Sequence, residues 1–157
     1  MLICPAKDIF DPEAIAAGIA DLLQDDTDPK AVRNATVSML NKARKTGNAA
    51  IAAAFETAPF AARRVVRSYA YLTDCIVGTV FDTAINVLHP LATPTEAERL
   101  AVLAVGGYGR AEMAPHSDVD LLFLTPYKIT PWAESVIESM LYMMWDLHLK
   151  VGHSSRT

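Results

Sequence analysis

Cysteine is scarce in this 157-residue sequence, with only Cys4 and Cys75 and a long separation between them. No Cys/His spacing fits a zinc site, and two distant thiols make no disulfide scaffold; reduced thiols in a cytosolic protein are the expectation. An excess of basic charge is also missing. Fourteen Lys and Arg stand against 18 Asp and Glu, for a formal net charge of −4, so nothing points to a surface built to coat nucleic acid. The one local cluster, Arg63, Arg64 and Arg67, reads as a solvated helix face. The first residues, Met1-Leu-Ile-Cys-Pro-Ala-Lys-Asp8, have neither the basic start nor the apolar stretch of a secretory signal. No membrane span is expected, because Asp74 and Asp82 interrupt the most apolar part of the chain short of the ~20 residues a bilayer requires. Repeats and low-complexity segments are absent as well.

What is present is apolar surface: 52% of residues, enough for a real core in one domain or in one domain with an appended helical segment. The first hundred residues read as helices. Residues 12–24 form one, with Asp11 as N-cap and Pro12 at the first helical position. Asp25-Asp-Thr-Asp-Pro29 is a break, and Asp28 can cap a helix from Pro29 to about Lys45. Thr46-Gly47-Asn48 is a stop signal, and a short helix from Ala49 to Thr57 follows it. Val66, Tyr69, Leu72, Ile76, Val80, Phe81, Ala84, Ile85 and Leu88 recur at three- and four-residue steps, which predicts a long amphipathic helix over 59–89 whose stripe is core packing. A division into a helical segment, 1–94, and a second region, 95–157, is expected.

The second region carries the chemistry. Leu100 to Val105 reads as a buried strand that stops at Gly106-Gly107, and Val119 to Leu124 as a second strand with carboxylates at its mouth. Positions i and i+2 of a strand share a face, so Asp118 and Asp120 converge on one side. Two carboxylates brought together repel, and such a pair usually exists to hold cations. The glycines allow a backbone to approach a ligand closely and offer amides to a phosphate. A triphosphate chelating Mg²⁺ needs both, so the residues predict a nucleotidyl-transfer site. Ser117 can bond a phosphate or hold the loop, and Arg110 can neutralise a leaving pyrophosphate or pair with Glu112 or Asp118. Tyr108, His116 and His153 read as structural. Thr130 caps a helix over 131–146 with Trp132, Val136, Met140, Met143 and Leu147 on its apolar side, and Leu147 to Val151 alternates like a third strand. A three-stranded unit that leads on past Thr157 reads as the N-terminal piece of a longer protein.

Val105-Gly106-Gly107, a spacer, and Asp118-x-Asp120 resemble the nucleotidyltransferase superfamily with the DNA polymerase β-like fold. The longer string Gly-Gly-Tyr-Gly-Arg-Ala-Glu…Pro-His-Ser-Asp-Val-Asp-Leu-Leu, with Trp145-Asp-Leu and Lys150-Val-Gly-His-Ser-Ser-Arg-Thr157, is similar to the bacterial PII uridylyltransferase/uridylyl-removing enzymes. The specific match covers about 101–157. The resemblance implies an α+β fold: a helical N-terminal segment followed by a small mixed β-sheet of the polymerase β-like kind, truncated at its C-terminus. It implies transfer of UMP from UTP to a PII nitrogen-regulatory protein in the cytoplasm, without nucleic-acid or membrane partners. Two Mg²⁺ ions would sit on Asp118 and Asp120, and Gly106, Gly107, Ser117 and Arg110 would meet the nucleotide. Superfamily members usually add a third acid from a later strand; Asp146 is a candidate, and so is a residue past Thr157. The family's HD hydrolase and ACT domains have no counterpart in these residues. The alternatives are a protein adenylyltransferase and a nucleotide-binding regulatory module without catalysis.

Overall fold

A computed structural model describes residues 1–25 and 28–157. Asp26 and Thr27, in the middle of the expected break before Pro29, lie outside the described residues. The chain divides into two compact units, 1–76 with 111–116, and 77–110 with 117–157.

The first unit is helical. Helix α1 (Ala6–Ile9) is a single turn, α2 spans Pro12–Asp25, α3 spans Pro29–Thr57, and α4 (Ala62–Thr83) begins here. The Asp11 side chain accepts a hydrogen bond from Ala14 N at 3.2 Å, as an N-cap should. Asp28 occupies the N-cap of α3 through its carbonyl, which accepts from Val32 N at 3.0 Å, with no side-chain cap bond. Helix α3 does not end at Gly47. It continues without a break for 29 residues, correcting the expected pair of shorter helices. The physical reason is packing: a Cβ at Gly47 would overlap the carbonyl oxygen of Ile9 and lie 2.9 Å from Leu72 Cδ1. This glycine lets neighbouring chain come close; it is not a C-cap. Ile9, Phe10, Val32, Leu40, Ile51, Leu72 and Ile76 are all buried. The N-terminal residues are tied to α4 by polar bonds. Ile3 N donates to Ser68 Oγ at 2.9 Å, and the Arg64 guanidinium donates twice to the Leu2 carbonyl.

Helix α4 loosens into a π-helical turn over Ala84–Leu88 and stops at His89, so the expected long helix is present, starting three residues later than Pro59. The run Ala62–Leu88 is 27 residues and, by length and composition alone, sufficient to cross a membrane, contrary to the sequence expectation. Its stripe is nevertheless packed against protein: Leu72, Ile76, Val80 and Ala84 are buried, and Asp74 and Asp82 lie within it.

The second unit holds a three-stranded mixed sheet in the order β1-β2-β3, formed by Ala101–Ala104, Val119–Leu124 and Val151–Arg156. Strand β1 runs antiparallel to β2, and β3 runs parallel to it. The one-turn helix α5 (Gly106–Gly109) follows β1, and α6 (Pro131–Asp146) joins β2 to β3. Thr130 Oγ1 caps α6 by accepting from Ala133 N at 3.1 Å. Val136, Met140, Met143, Met144 and Leu147 are fully buried, and α6 lies against both the π-turn and β3. Trp132 Nε1 donates to the His89 carbonyl at 2.7 Å, and Ser139 meets His89 Nε2 at 2.7 Å, fixing α6 to the end of the π-turn.

Two sequence expectations are corrected here. Strand β1 is largely exposed, with Leu103 40% accessible, whereas a buried strand was expected; its apolar side chains lack a covering layer within the described residues. The third strand is Val151–Arg156, not 147–151. Leu147 ends α6, and His148 takes φ +61°, a left-handed conformation that breaks the apparent alternation. Strand β2 matches its expected bounds and alternates as a half-buried strand does: Val119, Leu121 and Phe123 are buried, and Asp120, Leu122 and Leu124 are on the other face.

Candidate functional site

All six residues singled out in the sequence lie in the sheet-bearing unit. Asp118 stands one residue before β2 and is exposed; Asp120 is inside β2 and half-buried. With Val119, Leu121 and Phe123 turned into the core, alternation puts Asp120 on the opposite face, and Asp118 lies exposed just outside the strand. Gly106 opens α5 with φ +63°, the conformation a glycine adopts without strain. Gly107 is the second residue of that turn, and Arg110 is exposed at its C-terminal end. Ser117 is half-buried, directly before Asp118.

Two of these positions meet closely. A Cβ at Gly106 would stand 2.7 Å from Asp120 Oδ2, so the backbone of the glycine turn rests directly on the carboxylate. The arrangement is pinned by a hydrogen bond from Val105 N to the Asp120 carbonyl at 3.0 Å, which carries the β1–β2 pairing up to the turn. Gly109 N then donates back to the Val105 carbonyl at 2.9 Å and closes α5. A Cβ at Gly109 would lie 2.7 Å from the Ala104 carbonyl oxygen, so the turn folds tightly onto the end of β1. The amides of the first turn of such a helix have no acceptor inside it and face outward along its axis. Tyr108 is buried, consistent with a packing role.

Sequence reasoning gave no role to Gly152. Parallel pairing sets it directly beside Asp120, and a Cβ there would lie 2.6 Å from Asp120 Oδ1. The expected third strand ended at Val151; with the strand shifted to Val151–Arg156, Gly152 becomes a strand glycine, which often marks a close approach. Asp146 is the last residue of α6 and not part of β3, and β3 itself contains no carboxylate. His153 packs edge-on against Phe123, with ring centroids 6.5 Å apart, and His116 is exposed in the loop before Ser117.

Among the described residues no group of three or more His, Cys, Asp or Glu side chains gathers to hold a metal. A pair of carboxylates is the donor set that suits Mg²⁺ delivered with a nucleotide, because Mg²⁺ is commonly held by one or two carboxylates plus substrate phosphates. Gly106 and Gly152 put no side chain against either oxygen of Asp120, where a Cβ would collide with it. On these grounds the residues fit the ion.

The chain matches the family described as Glutamate-ammonia ligase adenylyltransferase over residues 4–144. It is 61% identical over 149 residues to the "Bifunctional uridylyltransferase/uridylyl-removing enzyme" of Ruegeria pomeroyi, covering 95% of this chain and 16% of that protein. It is 59% identical over 160 residues to the protein of the same description from Cereibacter sphaeroides, covering 99% of this chain and 17% of the relative. The Erythrobacter litoralis protein, described the same way, is 44% identical over 149 residues. The chain thus spans about a sixth of the length of these relatives. No solved structure matches it.

Proposed function

Since the chain belongs to the Glutamate-ammonia ligase adenylyltransferase family of nucleotidyltransferases, we propose that it forms part of a uridylyltransferase that moves UMP from UTP onto a PII-type nitrogen-regulatory protein in the cytoplasm. The single observation that supports the reading is the close approach of the Gly106 turn to the Asp120 carboxylate, which joins the Gly-Gly and Asp-x-Asp halves of the motif in one place.

In this reading Asp118 and Asp120 hold the cation at the start of β2. Mg²⁺ bound there would offset charge on the triphosphate and lower the barrier for the acceptor oxygen to attack. The amides of Gly106 and Gly107 meet the non-transferred phosphates, where the absence of side chains permits contact at hydrogen-bond distance. Arg110, exposed beyond the turn, stabilises charge as pyrophosphate departs, and Ser117 bonds a phosphate oxygen from the approach to β2. The net charge of −4 gives no support to a nucleic-acid acceptor. The high identity to proteins described as uridylyltransferases favours UTP.

A specific observation supports a second reading. The matching family is described as an adenylyltransferase, so ATP is the competing donor. Incubating the purified protein with Mg²⁺, a PII-type acceptor and either α-labelled UTP or α-labelled ATP separates the two. Label transferred from UTP and not ATP supports uridylylation. Preference for ATP would overturn it in favour of adenylylation, and binding of either nucleotide without transfer would favour a regulatory module.

A further inference from the structure

Gly152 occupies a place where its own backbone asks for no glycine. The sole glycine with positive φ among the described residues is Gly106; Gly152 lies in the ordinary extended chain of β3, which any residue can adopt. A strand interior weakens with glycine, since it packs nothing and retains more freedom when unfolded. What does require it is Asp120. The parallel register sets the two residues side by side on the same face of the sheet. The nearest atom to a Cβ at Gly152 is Asp120 Oδ1, at 2.6 Å, with Cγ at 3.8 Å. On the other side, Gly106 makes the equivalent approach to Oδ2. Each oxygen of the carboxylate therefore lies where a side chain on one of the two glycines would begin.

We propose that Gly152 is a positioning residue: by presenting no side chain, it fixes the orientation in which Asp120 offers its carboxylate to the cation. The inference rests on the nucleotidyl-transfer reading, but concerns a residue with no side chain of its own to offer a ligand. It also explains why the strand position next to Asp120 carries no acid. A side chain of any size there would enter the space of the carboxylate, so further cation ligands must come from elsewhere than this position. An alanine methyl at 152 would be relieved by rotation of the short Asp120 side chain, because the atom it meets is the end of a side chain and not backbone. The backbone of β3 would stay where it is, and the ligand geometry would not. Distortion of a group that orients a metal ligand typically weakens metal affinity by about 10–100-fold.

The experiment uses Mn²⁺ as a probe, read by its electron paramagnetic resonance signal, in the purified protein with UTP present. Wild type, Gly152→Ala, Asp120→Asn and the control Gly78→Ala are compared, together with melting temperatures and with transfer at saturating UTP. Gly152→Ala is expected to raise the Mn²⁺ dissociation constant by at least ~10-fold. Its melting temperature should stay close to that of wild type, and its transfer rate should fall with UTP affinity in the absence of metal unchanged. Gly78→Ala, where a Cβ meets nothing within 4 Å, should leave Mn²⁺ binding unaltered. Unchanged Mn²⁺ affinity in Gly152→Ala, with the affinity lost in Asp120→Asn, would overturn the positioning role and leave the transfer reading standing. Mn²⁺ affinity insensitive to Asp120→Asn would overturn the cation site itself. If Gly152→Ala fails to fold, adding Asp120→Ala removes the carboxylate it collides with and should restore folding; a double variant that still fails shows that the glycine serves something other than Asp120.

Discussion

The same substitution, glycine to alanine, should move stability in opposite directions in two helices of this protein. Gly47 lies in the middle of α3 and is buried; Gly78 lies in α4 and is exposed. Intrinsic helix preference favours alanine at both by about 0.5–1 kcal/mol, because glycine loses more backbone freedom on folding. At Gly78 nothing stands within 4 Å of the added Cβ, so that preference acts alone. At Gly47 the Cβ overlaps the Ile9 carbonyl oxygen and crowds both Leu72 methyls, at 2.9 and 3.0 Å. Backbone at the contact cannot turn aside as a side-chain tip can, and inserting a methyl into such a place costs about 1–3 kcal/mol. The net for Gly47→Ala is a loss of about 1–2 kcal/mol, and for Gly78→Ala a gain of up to about 1 kcal/mol. In a chain of this size 1 kcal/mol corresponds to roughly 2–4 °C in Tm. Thermal unfolding followed by far-ultraviolet circular dichroism measures both. Stabilisation by Gly47→Ala would refute the close approach of α3 to Ile9 and restore the view of Gly47 as a mere helix-ending residue.

Three other outcomes follow from partly or fully buried polar groups. Burial, aided by Asp8, pushes the Cys4 thiol above its ordinary range; at Cys75 burial does the same against an opposing hydrogen bond with Tyr71, with Asp74 adding a lesser upward contribution. Folded protein should therefore react with iodoacetamide more slowly at pH 8 than guanidinium-unfolded protein does, and its rate should keep climbing with pH after the unfolded rate has levelled off; equal rates would contradict the burial. Because the folded state holds these protons to higher pH, the associated stability is present below the ordinary thiol pKa and lost as pH rises through the raised one, so urea titrations should show a declining midpoint above about pH 8.5. Thr125 Oγ1, just past the end of β2, is buried with no hydrogen-bond partner among the described residues, and Thr125→Val removes a hydroxyl without changing shape. A gain of about 1 kcal/mol is expected from deleting an unsatisfied group, and a lower Tm in that variant would show that the hydroxyl is satisfied after all.

The sequence was most legible where local chemistry and tertiary packing agreed. Thr130 with Pro131 announces α6, and the alternation of Val119 to Leu124 announces β2, because cap, period and burial all point the same way there. The α+β arrangement and the kinship with uridylyltransferases follow from that agreement around the Gly-Gly and Asp-x-Asp motif. Gly47 misled because the stop signal of a glycine is local, while the reason for this one, the Ile9 carbonyl, is 38 positions away (47 − 9). Strand β3 was misplaced by four residues because Leu147-His-Leu-Lys alternates by accident; Leu147 finishes the buried stripe of α6, and only the left-handed His148 turns the chain. Strand β1 looked buried because its residues are apolar, and apolar composition does not say whether a layer covers them. The Gly-Gly and Asp-x-Asp motif is legible in the sequence but its geometry is not: that Asp120 lies between Gly106 and Gly152 depends on a parallel register no spacing rule supplies.

The central claim is that the start of β2, with Asp118 and Asp120, performs nucleotidyl transfer, and substitution of those two side chains tests it most directly. Asn keeps the shape of Asp and removes its charge, so Asp118→Asn and Asp120→Asn should preserve the fold while discarding the grip on the cation. Measured as UMP incorporated into a PII-type acceptor from labelled UTP at saturating Mg²⁺, each variant should transfer at least ~100-fold more slowly than wild type, with Tm within a few degrees of it. Transfer at near wild-type rate by the variant carrying both substitutions would contradict the account and move the chemistry away from this strand.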